Sequence, residues 1–195
     1  MGADERQSLS GVRVRTRLAI LDAAMRVLPK NPSATIHDIA DAAGVGRSTL
    51  HRYFDDRSAL IQAMARHIYE LSNAAILRAA PESGPPLAAL RRLADEQLDL
   101  GLALDFIYHE RLYLLKPEIF AGLTDADEIV RAAVARALRP GRSDPPDWGL
   151  RSYWTLLRLA AELVAEGTPR HQALEAMMAT LTAGIFSADP EAGAG

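Results

Sequence analysis

The stretch AGVGRSTLHRYF, residues 43–54, decides how this chain is read. Two glycines followed by Arg-Ser-Thr either wrap a nucleotide phosphate or mark the turn between two helices. A phosphate-wrapping loop needs Gly-x-x-x-x-Gly-Lys-Ser/Thr after a β-strand, so that backbone amides surround the phosphate while the lysine reaches past it. With Gly46 as the second glycine, Asp41 stands where the first belongs and Arg47 replaces the lysine, and the residues upstream have helical periodicity. The nucleotide reading fails on all three counts.

The helical reading uses the same residues without conflict. Thr35 is a good N-cap, Asp38 can return the bond in a capping box, and Ile36, Ile39, Ala40 and Ala43 share an inward face. Gly44 supplies the left-handed residue that ends this helix. A second short helix then runs from Arg47 to Tyr53, which makes a helix-turn-helix. Val45 and Leu50 point inward, while Arg47, Ser48, Thr49, His51 and Arg52 are left for the outer face. A guanidinium, hydroxyls and an imidazole on a short free helix match the donors and acceptors of base edges in the major groove, and the Tyr53 hydroxyl can reach a phosphate.

This pattern resembles the tetracycline-repressor (TetR) family of bacterial transcription regulators. The resemblance is carried by TIHDIADAAGVGRSTLHRYFDDRSAL, residues 35–60, with the spacings Thr-x-x-x-Ile-Ala-x-x-Ala-Gly-Val and Thr-Leu-x-x-Tyr-Phe-x-x-(Lys/Arg)-x-x-Leu intact. Two positions depart from it: Gly46 stands where the family often has Ser, and His51 where it often has Tyr. The resemblance implies that the first three helices form a reading head and that Asp56 caps a long fourth helix. It also implies that Arg57 faces the DNA backbone, at a helix end that itself favours a phosphate. The candidate DNA contacts are therefore Arg17, Thr35, Gly46, Arg47, Ser48, Thr49, His51, Arg52, Tyr53 and Arg57. The segment carrying Arg13, Arg15 and Arg17 either adds backbone or minor-groove contacts or is a solvated tail.

The whole chain agrees with an all-α class of about nine helices. Its 195 residues are 49% hydrophobic, enough for a buried core. Pro and Gly clusters at 29–32, 44–46, 81–86, 140–146 and 167–169 separate segments of helical period. This reading divides the chain into a flexible arm (1–15), a helix-turn-helix domain (16–57), a helical ligand-binding and dimerisation domain (58–188) and a flexible tail (189–195). The first 66 residues hold ten Lys and Arg against seven Asp and Glu, and the remainder twelve against eighteen. A basic bias confined to one end fits a local nucleic-acid contact. There is no cysteine, no signal-peptide pattern and no apolar run of membrane-spanning length, so a cytoplasmic protein is expected.

Beyond the head, the stretch LALDFIYHERLYLLKPEIF is either a buried helix or one wall of a ligand chamber. The chamber would be lined by Phe106, Tyr108, His109 and Tyr113, with Tyr153, Trp154 and Leu157 opposite. The last two helices carry apolar stripes at Leu150, Leu157, Ala161 and Val164 and at Leu174, Met177 and Leu181. These stripes fit an intramolecular core or half of a four-helix bundle completed by a second subunit. The resemblance to the family favours the homodimer. Two heads about 34 Å apart would then read a palindromic operator, released by a small-molecule effector.

No catalytic, metal or cofactor pattern is present. Tyr113 occupies the place of the second His in His-Glu-x-x-His, the five histidines are scattered, and no Gly-x-Ser-x-Gly occurs. An all-α interaction module without DNA binding, and a small-molecule enzyme, are the alternatives. Binding to a selected palindrome separates the first from a regulator, and turnover without DNA binding would favour the second.

Overall fold

The computed structural model describes residues 3–110, 116–121, 126–138 and 144–184. Among these residues there are nine α-helices: α1 (Ala3–Val27), α2 (Ile36–Ala42), α3 (Arg47–His51), α4 (Arg57–Ala79), α5 (Pro86–Gln97), α6 (Gly101–His109), α7 (Ala126–Ala137), α8 (Trp148–Ala165) and α9 (Arg170–Gly184). Short 3-10 turns at Leu98–Leu100 and Pro117–Phe120 complete the described elements, and no strand occurs among them.

The chain divides into two compact units. One comprises Met1–Ile68 and Phe106–Ala121, the other Tyr69–Asp105 and Gly122–Gly195. The first unit thus runs on past Arg57, where the sequence reading ends the helix-turn-helix domain, to Ile68. Leu60, Ile61, Met64, Ala65 and Ile68, along the first turns of α4, are all buried and belong to the first unit.

In the first unit α1 packs on α2, and α2 on α3. The buried residues of α1 are Ile20, Leu21, Ala23 and Ala24, followed by Leu28 just past its end, whereas Leu18 is exposed and Met25 only half-buried. The helix also begins at Ala3, so residues 3–15, expected as a flexible arm, continue it. Once the turns around Ile20 are held by packing, each residue added upstream costs little, because propagation is far easier than nucleation. Gly44, at φ +67°, closes α2 as expected. Its N–H donates to the Asp41 carbonyl at 3.0 Å and the Val45 N–H donates to the Ala40 carbonyl at 3.0 Å, the paired bonds of a Schellman turn.

The second unit is built on a core that includes Ile76, Leu90, Leu93, Val130, Val134, Leu150, Tyr153, Leu157, Leu174, Met177 and Leu181. Here α8 packs on α9 and α7, and α5 on α7 and α9. A buried polar chain crosses this core. The Tyr153 hydroxyl donates to Gln97 Oε1 at 3.0 Å, and Gln97 Nε2 donates to Ser72 Oγ at 3.0 Å. Burial pushes the Tyr153 phenol far above its ordinary range, so it stays protonated and remains a donor.

The loop between α4 and α5 contains a strained residue. Ala80 has φ +44°, in the left-handed region where a Cβ crowds the backbone. The loop is held there by two arginines. Arg92 donates to the carbonyls of Ala79, Ala80 and Ser83, and Arg136 to those of Pro81 and Gly84. Ala80→Gly is expected to raise stability by roughly 0.5–1 kcal/mol, the relief of strain less the added freedom of the unfolded chain. A urea melt would show the midpoint move upward at unchanged slope.

Candidate nucleic-acid interface

The helix-turn-helix is built by two caps and one buried leucine. Thr35 Oγ1 accepts from the Asp38 N–H at 3.2 Å, while the Thr35 N–H and hydroxyl both donate to Asp38 Oδ2 at 2.8 Å. This is the expected capping box with Asp in place of Glu. Leu50 is fully buried and Phe54 nearly so, which leaves Arg47, Ser48, His51 and Arg52 exposed on the outer face of α3. Thr49 and Tyr53 lie half-buried at its edges, and so does Val45, expected to be more deeply inward. Gly46 is the N-cap of α3 and makes no side-chain capping bond.

The cap has a consequence for pH. The Thr35 N–H, and after it the Thr35 hydroxyl, hold the Asp38 carboxyl below the usual aspartate range. A carboxyl whose folded pKa lies below its unfolded one adds stability above the unfolded value, and that stability is lost as pH falls through the folded value. Below about pH 4 the cap of α2 should weaken. Amide exchange of α2 is expected to accelerate on acidification in the natural chain and to change less in Asp38→Asn.

Two candidate contacts have other work in this structure. Arg57 Nε donates to the Ala34 carbonyl at 3.3 Å and its Nη2 to the Pro32 carbonyl at 2.5 Å, so its guanidinium clamps the turn before α2. The end of α4 is likewise occupied, because Asp56 Oδ1 accepts from the Ala59 N–H at 2.7 Å. The expected cap by Asp56 is thus present, but a carboxylate stands where a phosphate was expected. Thr35 is similar: its one hydroxyl proton goes to Asp38. Spacing showed that these residues sit near the turn, and only the packing of the 32–35 turn shows what they bond.

Sequence reasoning missed one contact beside α3. The Arg17 guanidinium carbon lies 5.7 Å from the centroid of the Phe54 ring, a cation–π arrangement joining α1 to the residue just past α3. The separation of 37 residues in sequence left no local signal.

The arginines differ in their partners. Among the described residues, Arg78, Arg91, Arg131, Arg158 and Arg170 pair with carboxylates, and Arg26, Arg57, Arg66, Arg92 and Arg136 donate to main-chain carbonyls. Arg13, Arg15, Arg47 and Arg52 have neither kind of partner among the described residues; outside the head only Arg151 shares that state. Arg47 at the start of α3 and Arg52 at its end, both exposed and without a partner among the described residues, are what a polyanion surface requires.

Comparison with known proteins agrees with this geometry. Residues 20–64 match the family described as bacterial regulatory proteins, tetR family. The HTH-type transcriptional repressor LfrR of Mycolicibacterium smegmatis is 49% identical over 178 residues, spanning 91% of this chain and 94% of LfrR. The chain belongs to the tetR family of bacterial regulatory proteins. The crystal structure of LfrR in complex with proflavine superposes on this TetR-family chain with a TM-score of 0.76 at 48% identity, covering 91% of this chain and 99% of that one. The HTH-type regulator NfxB of Pseudomonas aeruginosa is 40% identical over 67 residues, 34% of this chain and 36% of NfxB. This protein is accordingly a helix-turn-helix transcriptional regulator, and its relatives are regulators rather than enzymes.

The residues expected to bind a ligand or a second subunit fall in both compact units. Phe106, Tyr108 and His109 lie in the first unit and Tyr153, Trp154 and Leu157 in the second, while Tyr113 lies outside the described residues. Tyr153 and Leu157 are fully buried core, Trp154 is half-buried with its ring 5.3 Å from that of Tyr153, and Tyr108 is 61% exposed. A cavity of about 230 Å3 in the second unit is lined by Pro81, Ile129, Ala132 and Ala133 with Glu82, Glu128 and Arg136, and none of the expected aromatic residues borders it. Of the expected dimer residues, Leu150, Leu157, Ala161, Leu174, Met177 and Leu181 are buried within the single chain, and Val164 packs half-buried at the edge of that core. An apolar stripe states that a face is covered. It does not state by what, and here α5 and α7 help form the same core.

No group of three or more metal-ligating side chains occurs among the described residues, and no described helix is long and apolar enough to cross a membrane.

Proposed function

We propose that this TetR-family regulator is a cytoplasmic homodimeric repressor, without enzymatic activity, that binds a palindromic operator through α3 and leaves it when a small aromatic molecule binds. The observation that carries the DNA-reading assignment is that Arg47 and Arg52, at the two ends of α3, are exposed and have no partner among the described residues. Arg47, Ser48, Thr49, His51 and Arg52 read or approach base edges, and Tyr53 and Arg17 face phosphates. Arg57 and Thr35 hold the turn that aims α3 and take no direct part. Repression is supported by LfrR, a repressor 49% identical over nearly its whole length.

Ligand responsiveness is supported by the LfrR complex with proflavine, a planar aromatic cation. Within the second unit, Trp154 is the expected lining residue that is not wholly buried, and it provides an aromatic face for such a molecule. Release from the operator requires only that the effector bind one arrangement of the heads more tightly than the other.

Dimerisation is supported by an exposed apolar residue on α8. Leu159 is 44% exposed, on a face whose neighbours Leu156 and Leu163 are half-buried at the edge of the core. Leu159→Arg is expected to leave the fold intact and to shift the protein to monomer in light scattering. An unchanged dimer would move the interface elsewhere.

Selection of bound duplexes from a random pool tests the reading as a whole. Two inverted half-sites one helical turn apart are expected, and an unselective pool would refute operator binding. Proflavine binding should be measured on DNA-free protein, because a planar cation also stacks between base pairs.

A further inference from the structure

The side of α7 turned toward the loop between α4 and α5 encloses space that no side chain fills. Glu128, Ile129, Ala132, Ala133 and Arg136 recur along that side at helical spacing. The two alanines leave a hollow where longer side chains would meet the loop, and with Pro81 and Glu82 they border the cavity of about 230 Å3. Pro81 and Ala133 are buried and form its floor, while Glu82, Glu128, Ala132 and Arg136 are exposed at its rim.

The opposite wall is held in place. Arg136 donates to the carbonyls of Pro81 and Gly84, and Arg92 to those of Ala79, Ala80 and Ser83, so the loop cannot close onto the alanines without giving up these bonds. The volume sets the size of an occupant. An apolar cavity of about 150 Å3 accepts benzene, so this one has room for a single ring with a short chain, and it is smaller than the roughly 300–1,000 Å3 of pockets for drug-sized molecules.

The rim sets the charge. The lining carries two carboxylates against one guanidinium, a net single negative charge. The guanidinium of Arg136 is engaged with the loop. Glu128 lies 3.5 Å from Arg131, an arginine that Asp147 also binds, and Glu82 has no partner among the described residues. An apolar ring gains by leaving water for the floor, and an ammonium attached to it keeps charged partners at the rim.

We propose that this cavity is a binding site for a small organic cation, a single aromatic ring bearing an ammonium on a short chain. The ring rests on Pro81, Ile129 and Ala133, and the ammonium meets the carboxylates of Glu82 and Glu128. The site is separate from the aromatic face of Trp154, which does not border the cavity, and it stands without the effector reading.

The experiment records amide and alanine-methyl spectra of the DNA-free full chain during titration with phenethylammonium, with neutral phenethyl alcohol and with anionic hydrocinnamate. Phenethylammonium is expected to shift the Ala132 and Ala133 methyls saturably and to bind about 5-fold more tightly than the alcohol, the order of one partly solvated ion pair. Hydrocinnamate should bind most weakly. Glu82→Gln should bring the preference for the cation over the alcohol close to unity while leaving the affinity for the alcohol and the thermal melt as they were. Equal affinities for the three ligands overturn the proposal, as does tighter binding of hydrocinnamate, which would make Arg136 the recognising group. An unchanged preference in Glu82→Gln, or no saturable shift at either methyl, overturns it too. Shifts centred on the Trp154 indole instead of these methyls would refute this site and leave the effector reading standing.

Discussion

Arg47→Ala is expected to weaken operator binding by about 5- to 150-fold and to relax the preference at one position of each half-site, corresponding to roughly 1–3 kcal/mol for a guanidinium on a base edge. The size of the effect follows from the state of the side chain before binding. Arg47 is exposed at the start of α3 and engages no partner among the described residues, so little must be broken when it meets a base. Gel-shift titrations against operators substituted base by base would show the change. If affinity and preference both stay as they were, α3 is not the reading helix.

Arg57→Ala provides the contrast. Its guanidinium already donates to the carbonyls of Pro32 and Ala34, so the substitution removes a brace from the head and not a phosphate contact. Head stability should fall by about 1–2 kcal/mol, the order expected for charge-assisted bonds that are partly solvated. Binding to every duplex should weaken together, with the salt slope unchanged. A flatter slope would return Arg57 to the DNA surface.

A loss of stability is also expected at Gly101. It opens α6 where that helix comes close to α8: an added Cβ would lie 2.8 Å from Ala161 Cβ and 3.3 Å from the Leu157 carbonyl oxygen. Neither neighbour is the free end of a flexible side chain, so the helices must move apart. Alanine has a better intrinsic helix propensity than glycine by about 1 kcal/mol. Overpacking in a dense core costs about 1–3 kcal/mol and opposes it. Gly101→Ala should therefore lower the thermal midpoint, and Gly101→Val should lower it further, because its branched Cβ has no rotamer that avoids Ala161. Ala161→Gly in the Gly101→Ala background should recover part of the loss, since it removes one of the two clashing atoms. A midpoint that rises in Gly101→Ala would show that propensity outweighs the approach.

The reading head was largely legible in the chain because its determinants are local. The Thr35–Asp38 box, the Gly44 turn and the inward Leu50 depend on residues within four or five positions of one another, and the structure contains each of them. The uses of Arg57 and Arg17 were not legible, because their partners are 23 and 37 positions away and their identity depends on how separate helices meet.

The second unit shows the limit more plainly. Periodicity marked Leu150, Leu157, Leu174, Met177 and Leu181 as covered, and within the single chain they are. Hydrophobic burial has no direction, so a stripe is equally well satisfied by α5, by α7 or by another subunit. Sequence by itself determined that this protein is helical and that it carries a helix-turn-helix with a basic outer face. Tertiary structure decided which arginines remain unpaired and which apolar faces are already covered, because both depend on contacts between residues far apart along the chain.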